Sequence, residues 1–164
     1  MNINFKKLSG TAITPLKAHA TDACFDLFAN EDVVLKYGET RVVPTGIAME
    51  LPDGYYADVR PRSGLTSKSA LRVHLGTIDS NYRGDIGIIC ENASKPYLTK
   101  EYHHALECML YKLKGEEIVI KRGDKIAQIL VQKLPEIELV ETTKLSDSER
   151  GLNGFGSTDN KEGK

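Results

Sequence analysis

A chain of 164 residues, with 40% hydrophobic and 27% charged residues, suffices for one globular domain whose core needs no staple, and excludes a wholly disordered polymer. Lysine plus arginine number 22 against 23 acids, so a net charge of −1 argues against a nucleic-acid coat or an anionic-membrane binder. No apolar run reaches the roughly 18 residues of a membrane span, and Met1 to Gly10 lack the apolar stretch of a signal peptide. The expectation is a cytoplasmic protein with no membrane and no direct nucleic-acid partner. Cys24, Cys90 and Cys108 stand far apart without a C-x-x-C pair, so they read as reduced thiols. His103 and His104 near Cys108 do not complete a four-ligand zinc spacing.

In chain order, short β-favouring runs fall at 33–35, 41–43, 47–51, 55–59, 71–75, 86–90, 118–120, 126–131 and 137–140. Turn formers separate them: Tyr37-Gly38, Pro52-Asp53-Gly54, Arg83-Gly84-Asp85 and Arg122-Gly123-Asp124. Many short strands so punctuated predict an all-β sandwich or barrel rather than a βαβ sheet. No phosphate-binding lysine loop is present, and the glycines at 151, 154 and 156 have the wrong spacing for a dinucleotide turn. Two segments differ. Over 98–114, Leu98, Tyr102, Ala105, Leu106, Met109, Leu110 and Leu113 fit one helical face between Pro96 and Gly115, which predicts a helix. From Ser146 onward the chain is polar and glycine-rich, with Leu152 and Phe155 as its bulky apolar residues. That composition predicts an arm that moves when unliganded.

Three stretches carry candidate chemistry. Arg62-Ser63-Gly64 offers a guanidinium, a hydroxyl and an unshielded backbone N–H to a phosphate. The tail repeats that chemistry with Arg150, Gly154, Gly156, Ser157 and Thr158, and adds Phe155, an aromatic suited to cover a flat heterocycle. Between them, Asp79 ends an apolar run and starts a turn that also holds Tyr82. Asp79 alone also reads as an Asx-turn residue, and Tyr82 as a plain hairpin aromatic.

In order along the chain, five motifs resemble those of the homotrimeric dUTP pyrophosphatases (dUTPases). They are Ala20-Thr21-Asp22-Ala23-Cys24-Phe25-Asp26-Leu27, Arg60-Pro61-Arg62-Ser63-Gly64-Leu65, Gly76-Thr77-Ile78-Asp79 through Tyr82-Arg83-Gly84, Arg122-Gly123-Asp124-Lys125-Ile126-Ala127-Gln128, and Arg150-Gly151 through Gly154-Phe155-Gly156-Ser157-Thr158. The resemblance spans about residues 5–92 and 116–159. It implies a distorted jelly-roll β-barrel, 1–145, interrupted by the helical segment 94–113, with a C-terminal arm, 146–164, and a trimer whose sites draw on three subunits.

By the same resemblance, Asp79 would orient the water that attacks the α-phosphorus of dUTP, and pyrophosphate would leave. Gly76, Thr77 and Ile78 would read the uracil edge, Tyr82 would refuse a 2′-hydroxyl, and Phe155 would stack on the base. Arg62, Ser63, Gly64 and Gln128 would grip phosphates, and Arg150, Ser157 and Thr158 would close on the γ-phosphate. Mg²⁺ would be held by the triphosphate and waters without a direct protein ligand, Asp26 acting through water. Asn153 and Asp159 stand where the family usually has glycine, and Val73 where it often has a polar amide, which shifts base recognition toward the backbone.

The segment 94–113 interrupts what is ordinarily a short connection. In this the chain resembles the dUTPases of staphylococcal phages, some of which also displace a pathogenicity-island repressor. That implies a bacterial host cytoplasm, and a repressor-type partner contacted through 94–113 and the active-site region. Two other readings stand beside the hydrolase: a dCTP deaminase-like relative, and a module that mainly binds a repressor.

Overall fold

The computed structural model describes residues 1–103 and 108–152, with the backbone alone over the described part of 101–113. Thirteen strands and one short helix follow one another: β1 (Asn4–Lys7), β2 (Phe25–Phe28), β3 (Val33–Leu35), β4 (Thr40–Pro44), β5 (Ile47–Glu50), β6 (Tyr55–Pro61), α1 (Ser63–Lys68), β7 (Leu71–Val73), β8 (Gly76–Ile78), β9 (Gly87–Asn92), β10 (Tyr97–His103), β11 (Cys108–Lys114), β12 (Ile118–Ile120) and β13 (Lys125–Lys133). The fold is nearly all β, as the punctuated runs predict.

Every strand pair is antiparallel. The largest sheet runs β2-β13-β6-β8; a second runs β4-β9-β7; β1-β5, β3-β12 and β10-β11 form two-stranded ribbons. Alternation decides which side chains go inward. In β3, Val33 and Leu35 are buried while Val34 is exposed; in β9, Ile88, Cys90 and Asn92 are buried between more exposed neighbours. Leu27, Leu35, Val43, Ile47, Ile86, Ile88, Ile126 and Ile129 fill the centre. Each such side chain gives about 1.5–3 kcal/mol on burial, so the barrel is held from its middle.

Two sequence expectations are corrected. The helix predicted over 98–114 is a β-hairpin: β10 pairs with β11 in a register running from Tyr97 opposite Lys114 to His103 opposite Cys108. The apolar residues satisfy both periods. Antiparallel pairing resets the phase from one strand to the next, so Leu98 and Tyr102 come opposite Leu113 and Met109 instead of stacking along one helix. Tyr97, Thr99, Tyr102 and Tyr111 favour extended backbone, which tips the balance. The second correction concerns 137–140, which forms no strand. Ile137, Leu139 and Val140 are 73%, 95% and 75% exposed, and among the described residues no strand pairs with them.

The hairpin is fastened at its base. The buried Asn92 side chain donates to the carbonyls of Leu35 (2.9 Å) and Glu116 (2.7 Å) and accepts from the Ser94 N–H (3.0 Å). One amide therefore ties both ends of the interruption to the end of β3. Gly115 is needed where the returning chain crosses Tyr37, since a Cβ there would come within 2.5 Å of that side chain.

Candidate active site

The register of β13 assembles the first half of the site. Gln128 lies opposite Asp26 on β2 and opposite Arg60 on β6. The chain leaves β6 at Pro61, and Arg62 precedes α1 in extended backbone (φ −89°, ψ 124°). The first N–H groups of α1, at Ser63 and Gly64, then have no acceptor within the helix. An open cleft of about 440 Å³ results, lined among others by Cys24, Asp26, Arg62, Ser63, Gly64 and Gln128.

Charge in this cleft is arranged around Asp26, whose side chain is 13% exposed. Arg62 Nε donates to its Oδ1 at 3.0 Å, and Lys125 Nζ lies 2.9 Å from Oδ2. Arg62 Nη1 also donates to the Lys125 carbonyl (3.2 Å), and Gln128 Nε2 to the Pro61 carbonyl (3.2 Å). Two cations share one carboxylate, which leaves capacity for an incoming anion. Both Asp26 oxygens are engaged, so a divalent cation would meet this residue through water. Among the described residues no three His, Cys, Asp or Glu side chains come together to hold a metal. The Asp26 carboxylate in this lining fits an ion held mainly by phosphate oxygens and waters.

The second half of the site stands at the far edge of the same sheet. Gly76, Thr77 and Ile78 form β8, opposite Val59, Asp58 and Ala57 of β6. Asp79 follows, exposed, and its carbonyl accepts the Tyr82 N–H (3.1 Å) to close a tight turn. Tyr82 lies across Gly84, where a Cβ would fall 2.4 Å from the phenol oxygen, and its hydroxyl donates to the Asp85 carbonyl (3.0 Å).

The two halves do not meet within one chain. Ile78 pairs with Ala57, so Asp79 is level with Tyr56, six residues from Arg62. Six residues of strand span about 20 Å.

Arg150 is exposed, in a turn where Gly151 takes φ +53° and donates to the Ser148 carbonyl (3.1 Å). Phe155, Ser157 and Thr158, with the departures Asn153 and Asp159, lie outside the described residues. Val73 ends β7, partly buried against the core. Sequence reasoning missed Lys125 as the second cation on Asp26 and Cys24 as cleft wall, although both lie inside quoted motifs. Cys90 is a different thiol: burial pushes it up to about 11, so it stays protonated in the core.

A model of the dUTPase family matches residues 11–104 and 92–159. The chain belongs to the dUTPase family. The two matched stretches overlap where the β10–β11 hairpin begins. The deoxyuridine 5'-triphosphate nucleotidohydrolase of Clostridioides difficile is 42% identical over 159 residues, covering 96% of this chain and 97% of that one. Among solved structures, the dUTPase of staphylococcal phage 80alpha with dUPNHPP superposes with a TM-score of 0.82 at 33% identity, covering 95% of this chain and 97% of the other. It is described among phage dUTPases that control transfer of virulence genes by a proto-oncogenic G protein-like mechanism. The dUTPase of phage phi11 of S. aureus, described as carrying a species-specific insert, gives 0.75 at 30% identity, covering 90% and 100%. This dUTPase is therefore a dUTP diphosphatase, and the deaminase-like alternative falls away.

Proposed function

We propose that the chain hydrolyses dUTP by attack of water on the α-phosphorus, with Asp79 as the base. Asp79 takes a proton from the water, the new oxygen–phosphorus bond forms, and the bond to the bridging α,β-oxygen breaks as pyrophosphate departs. The main chain of Gly76, Thr77 and Ile78 meets the uracil edge, and Tyr82 lies where a 2′-hydroxyl would be. Arg62, Ser63, Gly64 and Gln128 take the phosphates; Arg150, Ser157 and Thr158 close on the γ-phosphate while Phe155 covers the base. Mg²⁺ on the triphosphate would supply charge neutralisation, with Asp26 contacting it through water. The product dUMP would serve dTMP synthesis, and removal of dUTP would keep uracil out of DNA.

The observation that carries this reading is the separation of Asp79 from Arg62. A base must reach its water by a hydrogen bond, yet the two halves lie about 20 Å apart in one chain. One site must then draw on more than one copy, as a homotrimer provides. The exposed Ile137, Leu139 and Val140 support the same conclusion, because an apolar run without a strand beside it finds cover on a second subunit. Pyrophosphate release tested across deoxy- and ribonucleoside triphosphates is expected to single out dUTP. Ammonia release from dCTP, or no turnover of dUTP, would refute it.

A second role, binding a repressor-type protein in the cytoplasm of a bacterial host, is favoured by the hairpin. Among the described residues β10 and β11 form a two-stranded sheet of their own, and Leu98 is 68% exposed. Because Asn92 closes the base, replacing 97–114 by a two-residue Gly-containing turn preserves the frame. That variant is expected to hydrolyse dUTP within about threefold of the intact chain, a change of about 0.7 kcal/mol. Its binding to the repressor should weaken. Lost hydrolysis in a folded trimer would make the hairpin a buttress of the site instead.

A further inference from the structure

The turn that carries Asp79 and Tyr82 is held at both ends, by Asp85 and by Arg83. At the tip of the tyrosine, the phenol hydroxyl donates to the Asp85 carbonyl (3.0 Å). The Asp85 carboxylate in turn accepts from the Thr45 hydroxyl (3.2 Å) and the Ile47 N–H (3.3 Å). At the backbone end stands Arg83. Its Nη1 donates to the Tyr82 carbonyl (3.0 Å) and to the Ser80 carbonyl. Nη2 lies 3.7 Å from Glu50 Oε1 on β5, and Glu50 Oε2 accepts from the Asn4 side chain of β1 (2.9 Å).

An ion pair that is half exposed on both sides, 51% and 54%, adds little to stability. Its effect is directional. The guanidinium is aimed at two carbonyls, that of Tyr82 itself and that of Ser80 two residues before it, and β5 supplies the fixed point. A deoxyribose and a ribose differ by one oxygen atom, so refusal of the larger sugar requires an aromatic ring that does not yield.

We infer that Arg83 is the positioning residue of the sugar gate: by bridging the Ser80 and Tyr82 carbonyls while leaning on Glu50, it keeps Tyr82 from giving way to a 2′-hydroxyl. The inference rests on the reading of Tyr82 as the residue beside the sugar. Ser80 and Tyr82 lie within the turn that starts at Asp79, but among the described residues Arg83 makes no contact with the Asp79 carboxylate. Arg83 therefore bears on substrate choice more than on turnover.

The test measures kcat and KM for dUTP and UTP in Arg83→Met, Arg83→Lys, Glu50→Gln and Tyr82→Ala. Arg83→Met is expected to lower the dUTP/UTP ratio of kcat/KM about tenfold, mainly through UTP, while kcat on dUTP changes less. Arg83→Lys, whose ammonium can still donate to both carbonyls, should restore most of the ratio. Glu50→Gln should fall between, and it carries the test if Arg83→Met does not fold. Equal losses on both substrates, with the ratio constant, would overturn the assignment of Arg83. An unchanged ratio in Tyr82→Ala would instead show that the gate itself has been misplaced.

Discussion

Asp79→Asn is expected to lower kcat by about 10²- to 10⁴-fold with nucleotide binding retained, the range lost when a general base is removed. The substitution keeps size and shape. Among the described residues no hydrogen bond or ion pair engages the Asp79 carboxylate; only its backbone carbonyl is used, by the Tyr82 N–H at 3.1 Å. Asparagine leaves that backbone contact in place, and an exposed position imposes no burial cost. Stability should therefore be unchanged within about 0.5 kcal/mol, the usual range for surface substitutions. A loss of rate without loss of fold isolates the chemistry. Turnover and thermal melting, measured together with binding of a non-hydrolysable α,β-imido dUTP, decide it. If the variant kept more than about a tenth of kcat, the base would have to be sought elsewhere.

Much of this architecture is legible before any coordinates. The runs at 33–35 and 118–120 coincide with β3 and β12, and 41–43 falls inside β4, because glycine, proline and aspartate mark the ends of short strands. What failed has a common physical cause. Period counting over 98–114 treats the segment as one uninterrupted element, and the same apolar positions serve two antiparallel strands in register. The run at 137–140 has strand composition, but a strand needs an edge to pair with, and among the described residues none pairs with it. Helix α1 is too short to show a periodic face, so the phosphate-binding chemistry of Arg62-Ser63-Gly64 was legible while the helix that begins at Ser63 was not. At the site, residue types were legible and partnerships were not. That Asp26 takes both Arg62 and Lys125, or that Arg83 reaches Glu50 on β5, depends on which strands pair across tens of residues.

Truncation after Ser148 should separate the arm from the barrel. It removes Arg150, Phe155, Ser157 and Thr158 but none of the strands found among the described residues, the last of which is β13, ending at Lys133. From Lys133 to Leu152 every residue is exposed, so the described part of the removed segment contributes little burial. The melting temperature is expected to move by no more than a degree or two, since about 1 kcal/mol corresponds to roughly 2–4 °C in a chain of this size. The kinetic effect should be large. If Arg150, Ser157 and Thr158 close on the γ-phosphate as proposed, their loss removes interactions that tighten as charge moves onto the leaving pyrophosphate; one positioned donor alone is worth about 10²- to 10³-fold. A fall in kcat/KM of at least 10²-fold is therefore expected, with Arg150→Ala reproducing part of it. The order of the two losses matters. If kcat falls with KM, the arm acts after binding, as a lid does; if KM alone rises, it only holds substrate. Unchanged kcat/KM in the truncated enzyme would leave the triphosphate to Arg62, Ser63, Gly64 and Gln128, and the lid proposal would fail.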